Sequence, residues 1–149
     1  MPGGQDYTFA MNFKYDSWNR IKNMTYPDGE EVSYNYNDAG QLITMTGAKG
    51  SQNFEYVNEI IYNRYGSRKH ISYGNGTYSD YSYNNLNQQL TNLKSYDGNN
   101  NLMQDLTYTY DNISNITSIQ NTAGALSNGL GGNYSYSYSY DNLYRLTSS

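Results

Sequence analysis

The sequence predicts an all-β fold in which repeated β-hairpins form one twisted, antiparallel, solenoid-like sheet. Two observations carry this prediction. A Tyr-Asp or Tyr-Asn pair recurs at spacings of 21, 26, 21, 27 and 30 residues, and aromatic residues alternate with small polar ones before it. Such a spacing matches one hairpin with its connections and indicates a repeat architecture. The pairs are Tyr15 and Asp16, Tyr36 and Asn37, Tyr62 and Asn63, Tyr83 and Asn84, Tyr110 and Asp111, and Tyr140 and Asp141.

The strand that leads into each pair is predicted by its period of two. The last copy shows the alternation most fully, with Tyr and Ser in turn from residue 134 to residue 140. This pattern is typical of a strand with one packed face and one hydrated face. In the six copies, the residue two before the repeat tyrosine is Phe13, Tyr34, Ile60, Tyr81, Tyr108 or Tyr138.

The segment after each pair predicts a tight turn followed by a bulged strand. Four residues after the tyrosine stand Asn19, Gly40, Gly66 and Asn87, which are types that adopt the left-handed conformation, whereas Ser114 and Tyr144 do not follow this rule. An apolar residue follows two positions later, except at Arg68, and one inserted residue moves it to Leu90 in the fourth copy. A second apolar residue comes three positions further, and a step of three in a strand requires a bulge or a sharp twist near its start. These second positions are Met24, Met45, Ile71, Leu93 and Ile119.

Turns that join one repeat to the next are predicted from Gly, Pro and Asn. Pro presets φ for a turn and Gly accepts a positive φ, so Pro27-Asp28-Gly29 indicates a hairpin tip. Equivalent tips are expected at 48–50, 74–76 and 96–98. The Ser-, Asn- and Gly-rich stretch from Ser127 to Asn133 predicts a flexible loop.

These elements predict a single repeat domain. We expect residues 1–12 to form a leader and the first strand, the strand running from Tyr7 to Phe13. Residues 13–149 are expected to form six tandem hairpin repeats, the sixth only begun.

Composition limits the possible functions. The 149 residues include 20 Tyr, no Cys, and a net charge of −4 with Lys and Arg scattered mostly singly. Because no basic stripe is present, we expect no nucleic-acid partner. The absence of cysteine excludes a disulfide framework and a cysteine-based metal site. No apolar run is long enough to insert into a membrane, and Met1 to Gly4 begin no signal peptide, so neither is expected.

The sequence predicts no catalytic, metal or cofactor site. Half of the repeated acidic positions are Asn, which can cap a turn but cannot act as a general acid or an anionic ligand. His70 is the only histidine and is expected at a surface or strand edge, with no nucleophile elbow in the chain. Trp18 is a candidate sugar contact, because an exposed aromatic ring beside amides can stack on a pyranose.

The motif resembles the YD repeat of the Rhs-type family, which includes Rhs and wall-associated proteins, Tc-toxin shell components and teneurins. The resemblance rests on Tyr-x-Tyr-Asp-x-x-Gly-Arg-Leu, read here at 13–21, 34–42 and 138–146 with Phe13 in place of the first tyrosine. It covers the chain from about Phe13 to Leu146. The resemblance implies a spiralling sheet that encloses a toxin when many repeats are present. It also implies a bacterial protein located outside the cell or at the cell surface. Six repeats are too few to close such a shell, and the family's self-cleaving segment is absent.

We therefore expect a non-enzymatic structural protein without cofactors. It is either part of an Rhs-like shell with flanking repeats or a homo-oligomer that assembles head to tail into an extracellular fibre. The alternative is a surface carbohydrate-binding module that uses Trp18 and other exposed aromatics.

Overall fold

The computed structural model describes residues 9–125 and 131–148, and every regular element in this part of the chain is a β-strand. None of the described residues forms a helix capable of crossing a membrane. The strands are β1 Asn12–Tyr15, β2 Ile21–Thr25, β3 Glu31–Tyr36, β4 Leu42–Lys49, β5 Gln52–Tyr62, β6 Arg68–Tyr73, β7 Tyr78–Tyr83, β8 Leu90–Tyr96, β9 Leu102–Tyr110, β10 Ile116–Asn121, β11 Tyr134–Ser137, β12 Ser139–Tyr140 and β13 Leu146–Ser148.

The strands form an antiparallel meander in chain order. Strands β1 to β11 make one sheet, and β12 and β13 pair separately. The final hairpin stays attached to the sheet, because the Tyr138 N–H donates to the Thr117 carbonyl at 2.9 Å. This arrangement confirms the predicted all-β, hairpin-repeat fold. The turns that follow the repeat tyrosines alternate with the other turns and therefore share one long edge, here called the repeat-turn edge. The remaining turns form the opposite edge.

A β-bulge follows every repeat turn. Tyr15 pairs with Ile21, whereas Lys14 pairs with Asn23, so Lys22 is the extra residue of the first hairpin. The predicted bulge is confirmed, since it returns the second apolar residue to the face that carries the first. The equivalent extra residues are Ile43, Lys69, Thr91, Thr117 and Thr147.

The two faces of the sheet differ in polarity. On the apolar face, aromatic and aliphatic side chains stand opposite one another, as in Tyr34 opposite Met45 and Tyr81 opposite Leu93. On the polar face, short side chains hydrogen-bond across strands, as in Asn35 to Thr44 at 2.9 Å. The alternation of side chains along each strand therefore places the packed residues on one face of the sheet and the hydrated residues on the other.

The best-buried packing lies near the middle of the sheet. Val57, Ile60 and Ile71 form a cluster on β5 and β6. Most other side chains of the apolar face are only half-buried, because extensive contacts among the described strands join only neighbours in the meander and no second layer covers the face. Tyrosine suits this position, since its ring packs while its hydroxyl reaches a polar partner.

The first strand differs from its prediction. It runs from Asn12 to Tyr15 rather than from Tyr7 to Phe13. Its ladder begins at Asn12 because the partner residue, Thr25, is the last of β2, and the chain then turns at Tyr26. Residues 1–8 of the expected leader, and residues 127–130 of the expected loop, lie outside the described residues.

Candidate functional site

The repeat turns share one backbone geometry. In the first turn, the Asp16 N–H donates to the Arg20 carbonyl at 2.9 Å, and the Asn19 N–H donates to the Asp16 carbonyl at 3.0 Å. Asn19 has a φ of 60°. This is a three-residue hairpin loop closed by a left-handed residue. The turns that begin at Asn37, Asn63, Asp111 and Asp141 repeat both hydrogen bonds.

The side chain of the repeated Asp or Asn caps its own turn. Oδ1 of Asp16 accepts the N–H groups of Trp18 and Arg20 at 2.9 and 3.0 Å. Oδ1 of Asn63 accepts the equivalent pair from Tyr65 and Ser67. An amide oxygen thus does the same work as a carboxylate. Further such bonds link Asn37 with Gln41, Asn84 with Leu86, Asp111 with Ile113 and Asn115, and Asp141 with Leu143 and Arg145.

Where the capping residue is Asp, these bonds lower its pKa. The side chain of Arg20 hydrogen-bonds the second oxygen of Asp16 and is the main cause of the lowered pKa there. For Asp141, the hydrogen bond from the Arg145 backbone N–H is the main cause of the lowered pKa. The carboxylates are therefore held ionised as turn caps.

The left-handed residue of the turn occurs in all six copies, including those that break the sequence rule. Ser114 and Tyr144 have φ values of 75° and 61°. In the fourth copy the left-handed residue is Gln88, with a φ of 59°, and not the predicted Asn87. The inserted residue explains the shift, because the Asn84 N–H must reach the Gln89 carbonyl across a longer loop. Hairpin closure therefore overrides the preference of the side chain.

Each repeat tyrosine after the first fastens its hairpin to the preceding one. The Tyr36 hydroxyl donates to the Ile21 carbonyl at 2.7 Å, and the Tyr62 hydroxyl to the Leu42 carbonyl at 2.7 Å. The acceptor is always the first residue of the strand after the preceding repeat turn. We call this contact the tyrosine–carbonyl bond. It recurs from Tyr83 to Arg68, from Tyr110 to Leu90 and from Tyr140 to Ile116 at 2.8 Å.

Side chains also connect successive turns along the repeat-turn edge. The Gln41 amide donates to the Gly66 carbonyl at 3.4 Å, and the Gln89 amide donates to Ser114 Oγ at 3.0 Å. In the first pair of turns, a Cβ at Gly40 would lie 3.4 Å from Arg20 Nη1, so glycine leaves room for the guanidinium. The edge is therefore a row of contacting turns.

The structure also contains a Tyr-Asp turn outside the six predicted repeats. The sequence predicts only a hairpin tip at 96–98, yet Oδ1 of Asp97 accepts the N–H groups of Asn99 and Asn101. Asn100 supplies the left-handed residue with a φ of 63°. This turn lies on the opposite edge. The residues Tyr-Asp-x-x-Asn-Asn-Leu carry the signal, but they fall out of phase with the other copies.

Trp18 lies beside Arg20 on the first turn. The Arg20 guanidinium is 4.7 Å from the Trp18 ring and 4.3 Å from the Tyr36 ring, so it sits against both rings. Trp18 remains 62% exposed. Its proposed contact with sugar stays a prediction, which loss of glycan-array binding in Trp18→Ala would support.

His70 lies on β6 and faces β7. Its Nδ1 is 2.6 Å from Asp80 Oδ1, and its ring packs against Tyr78. Within residues 9–125 and 131–148, no group of three His, Cys, Asp or Glu side chains is arranged to hold a metal ion.

Comparison with known proteins agrees with this geometry. Residues 15–52 match the family model of the RHS Repeat. No curated protein matches the chain. The crystal structure of TcdB2-TccC3 matches with a TM-score of 0.85 and 27% identity, covering 95% of this chain and 7% of that one. The crystal structure of TcdB2-TccC3-TEV matches with a TM-score of 0.83 and 26% identity over 93% of this chain and 7% of that chain.

A third solved structure is the Tc holotoxin pore of Photorhabdus luminescens with a mutation in TccC3. It matches with a TM-score of 0.81 and 27% identity over 91% of this chain and 6% of that chain. The resemblance to Rhs-type repeats is thus confirmed, and the chain spans less than a tenth of these chains' length.

Proposed function

We propose, from the premise that this chain is an array of Rhs-type repeats, that it is a non-enzymatic structural segment of a shell wall. The tyrosine–carbonyl bond carries the proposal. It joins each hairpin to the preceding one through the same pair of groups, a tyrosine hydroxyl and a backbone carbonyl. An array in which every unit binds the preceding unit in the same way can be extended by adding units. The Tc toxin chains that share this fold are much longer, since this chain covers 7% of each.

The carboxylates of the repeats support the non-enzymatic part of the proposal. Asp16, Asp111 and Asp141 all direct their oxygens at backbone N–H groups of their own turns. A carboxylate engaged in this way is not free to exchange protons with a substrate. By family resemblance, we propose a bacterial protein that acts outside the cell or at its surface.

The ends of the sheet suggest how the segment joins others. Among the described residues, β1 pairs only with β2, and β13 pairs only with β12. A strand edge of this kind can accept another strand. We propose that it does so, either with flanking repeats of a longer chain or with a second copy placed head to tail. In the head-to-tail contact, the Tyr15 hydroxyl would donate to the Leu146 carbonyl of the neighbouring copy.

Light scattering with size-exclusion chromatography, backed by negative-stain imaging, tests the head-to-tail contact. We expect species heavier than the 17.0 kDa chain, growing with concentration. Tyr15→Phe should weaken the association, whereas Tyr36→Phe, which removes an internal bond, should not. A monomer at every concentration would exclude self-pairing and favour flanking repeats. Assembly that survives deletion of residues 134–149 would also count against head-to-tail pairing.

A further inference from the structure

The third and fourth repeats depart from the common pattern, and their departures are adjacent in the sheet. Arg68 stands where the other repeats place an apolar residue. The fourth turn is longer, with the Asn84 N–H bonded to the Gln89 carbonyl instead of to a residue one position earlier. A hairpin scaffold requires neither feature, because the other units form the same hairpin without them.

A cavity of about 660 Å³ lies between these two turns. Its walls include Tyr65 from the third turn, Tyr81 and Tyr83 from β7, and the cations Arg64 and Lys69. Its volume falls in the range of small-molecule sites, about 300–1,000 Å³. We call this cavity the third-repeat cleft.

Amide side chains complete the cleft. Asn63, Asn85 and Gln88 line it, and the Asn63 amide donates to Gln88 Oε1 at 3.2 Å. The Gln88 side chain of the longer fourth turn therefore helps to join the two turns. These amides place donors and acceptors beside the tyrosine rings, as recognition of hydroxyl groups requires.

Positive charge is concentrated at the cleft of a chain whose net charge is −4. Arg64 and Lys69 line the cleft, and Arg68 lies beside it, with its guanidinium against the lining residue Tyr81. In the ranges that the structure describes, none of the three enters an ion pair. The cations that do are Lys14, Arg20, Lys49, His70, Lys94 and Arg145, if His70 is protonated.

Tyrosine rings hold the two guanidinium groups. Arg64 lies 4.6 Å from the centroid of the Tyr65 ring, and Arg68 lies 5.6 Å from that of Tyr81. Arg64 Nη2 also donates to the Tyr65 hydroxyl at 2.5 Å. The remaining N–H groups at the edges of the two guanidinium groups are available to a planar anion. Lys69 also borders a second hollow with Glu59 and Asp80, so its charge is shared between the two sites.

We propose that the third-repeat cleft binds an acidic sugar, a pyranose ring that bears a carboxylate. The tyrosine rings would meet the C–H face of the sugar, the amides would bond its hydroxyls, and Arg64 and Arg68 would bind its carboxylate in the bidentate mode that guanidinium favours. This site is distinct from Trp18 and from the head-to-tail contact.

Calorimetric titration of the full chain tests the proposal with three probes. We expect D-galacturonate to bind saturably, and D-galactose, which has a hydroxymethyl group in place of the carboxylate, to bind roughly tenfold more weakly or not at all. Acetate and phosphate should show no saturable binding. Equal binding of the two sugars would overturn the role of the cations. Acetate or phosphate binding as tightly as galacturonate would overturn the sugar and leave a simple anion site.

Variants assign the binding to named side chains. Arg68→Leu restores the apolar residue of the other repeats, and Arg64→Gln changes an exposed side chain. Each should weaken galacturonate binding roughly tenfold, since each removes a charge-assisted hydrogen bond. Lys69→Gln should weaken it less. Lys22→Gln is the matched control, because Lys22 is the same bulge residue in the first repeat.

Unchanged affinity in both arginine variants would overturn the assignment. Light scattering of the same variants separates this proposal from the head-to-tail contact. Because none of the substituted residues lies at a sheet end, the variants should assemble as the unchanged protein does. If Arg68→Leu disturbs folding, Arg64→Gln alone decides the outcome.

Discussion

At the scale of single residues, the repeat turn depends on a conformation that most side chains avoid. Asn19, Gly40 and Gly66 adopt it easily, but Tyr144 and Ser114 adopt it too. A left-handed backbone costs an ordinary residue roughly 1–2 kcal/mol relative to glycine. The last two turns therefore carry strain that the turn geometry imposes.

Replacing Tyr144 with glycine should relieve this strain. We expect Tyr144→Gly to raise the free energy of unfolding by roughly 0.5–1 kcal/mol, since the exposed ring loses little packing. Urea denaturation followed by circular dichroism measures the change. Tyr136→Gly, on a strand, is the control and should destabilise the protein. A loss of stability in Tyr144→Gly would contradict the account of the turn.

Acid should weaken the turns that Asp caps. Hydrogen bonds hold the pKa values of Asp16 and Asp141 below their ordinary values, so these groups stabilise the fold when ionised. Their contribution is complete above the unfolded pKa, about 4, and is lost as pH falls through the folded pKa. We expect the melting temperature to drop below about pH 4.

The natural Asn turns provide the comparison for this prediction. In Asp16→Asn and Asp141→Asn combined, the caps keep an acceptor oxygen but no longer titrate, as at Asn63. The acid-induced fall in melting temperature should become smaller. An identical pH profile in the double variant would show that other groups cause it.

At the scale of elements, the tyrosine–carbonyl bond links neighbouring hairpins. We expect Tyr62→Phe to lower the free energy of unfolding by about 1 kcal/mol, because the Leu42 carbonyl loses its donor. Tyr136→Phe is the matched control, since Tyr136 is 52% exposed and lies within β11, away from the repeat turns. Equal losses in the two variants would mean that the hydroxyl contributes nothing specific to hairpin docking.

Close approach of two strands makes one tip glycine irreplaceable. A Cβ at Gly74 would lie 1.6 Å from the Glu55 carbonyl oxygen, which forces the backbone to move. We expect Gly74→Ala to cost roughly 3 kcal/mol or more. At Gly98, in the next tip of that edge, the nearest atom would be 3.7 Å away, so Gly98→Ala should be nearly neutral. Thermal denaturation compares the two, and similar melting temperatures would contradict the packing of β5 at this tip.

Elements were predictable wherever one residue type recurred in phase. Tyr-Asp pairs located the repeat turns, and the step of three located the bulges. The tyrosine–carbonyl bond was not predictable, because its acceptor is a backbone carbonyl in another hairpin and leaves no trace in side-chain pattern. The turn at Asp97 escaped because its phase differs from the rest. The third-repeat cleft was not predictable, because its lining comes from two turns and from β6 and β7, although Arg68 already stood out as an exception.

At the scale of the whole molecule, stability should vary along the sheet. The cluster of Val57, Ile60 and Ile71 lies centrally, whereas the last hairpin is mostly exposed. Native-state hydrogen exchange should show the slowest amides in β5 and β6, and the fastest in β1 and in β12 to β13. Uniform exchange would instead indicate one cooperative unit.

Extensive contacts join only strands that are consecutive in the chain. No strand has to wait for a distant partner, so the fold has a low contact order, which favours rapid folding. During synthesis, each hairpin leaving the ribosome would find its docking site already formed by the hairpin before it. The tyrosine–carbonyl bond would close when the incoming strand of each new hairpin docks on the preceding hairpin. A gene that gained or lost a repeat would then still encode a chain that folds from its amino end.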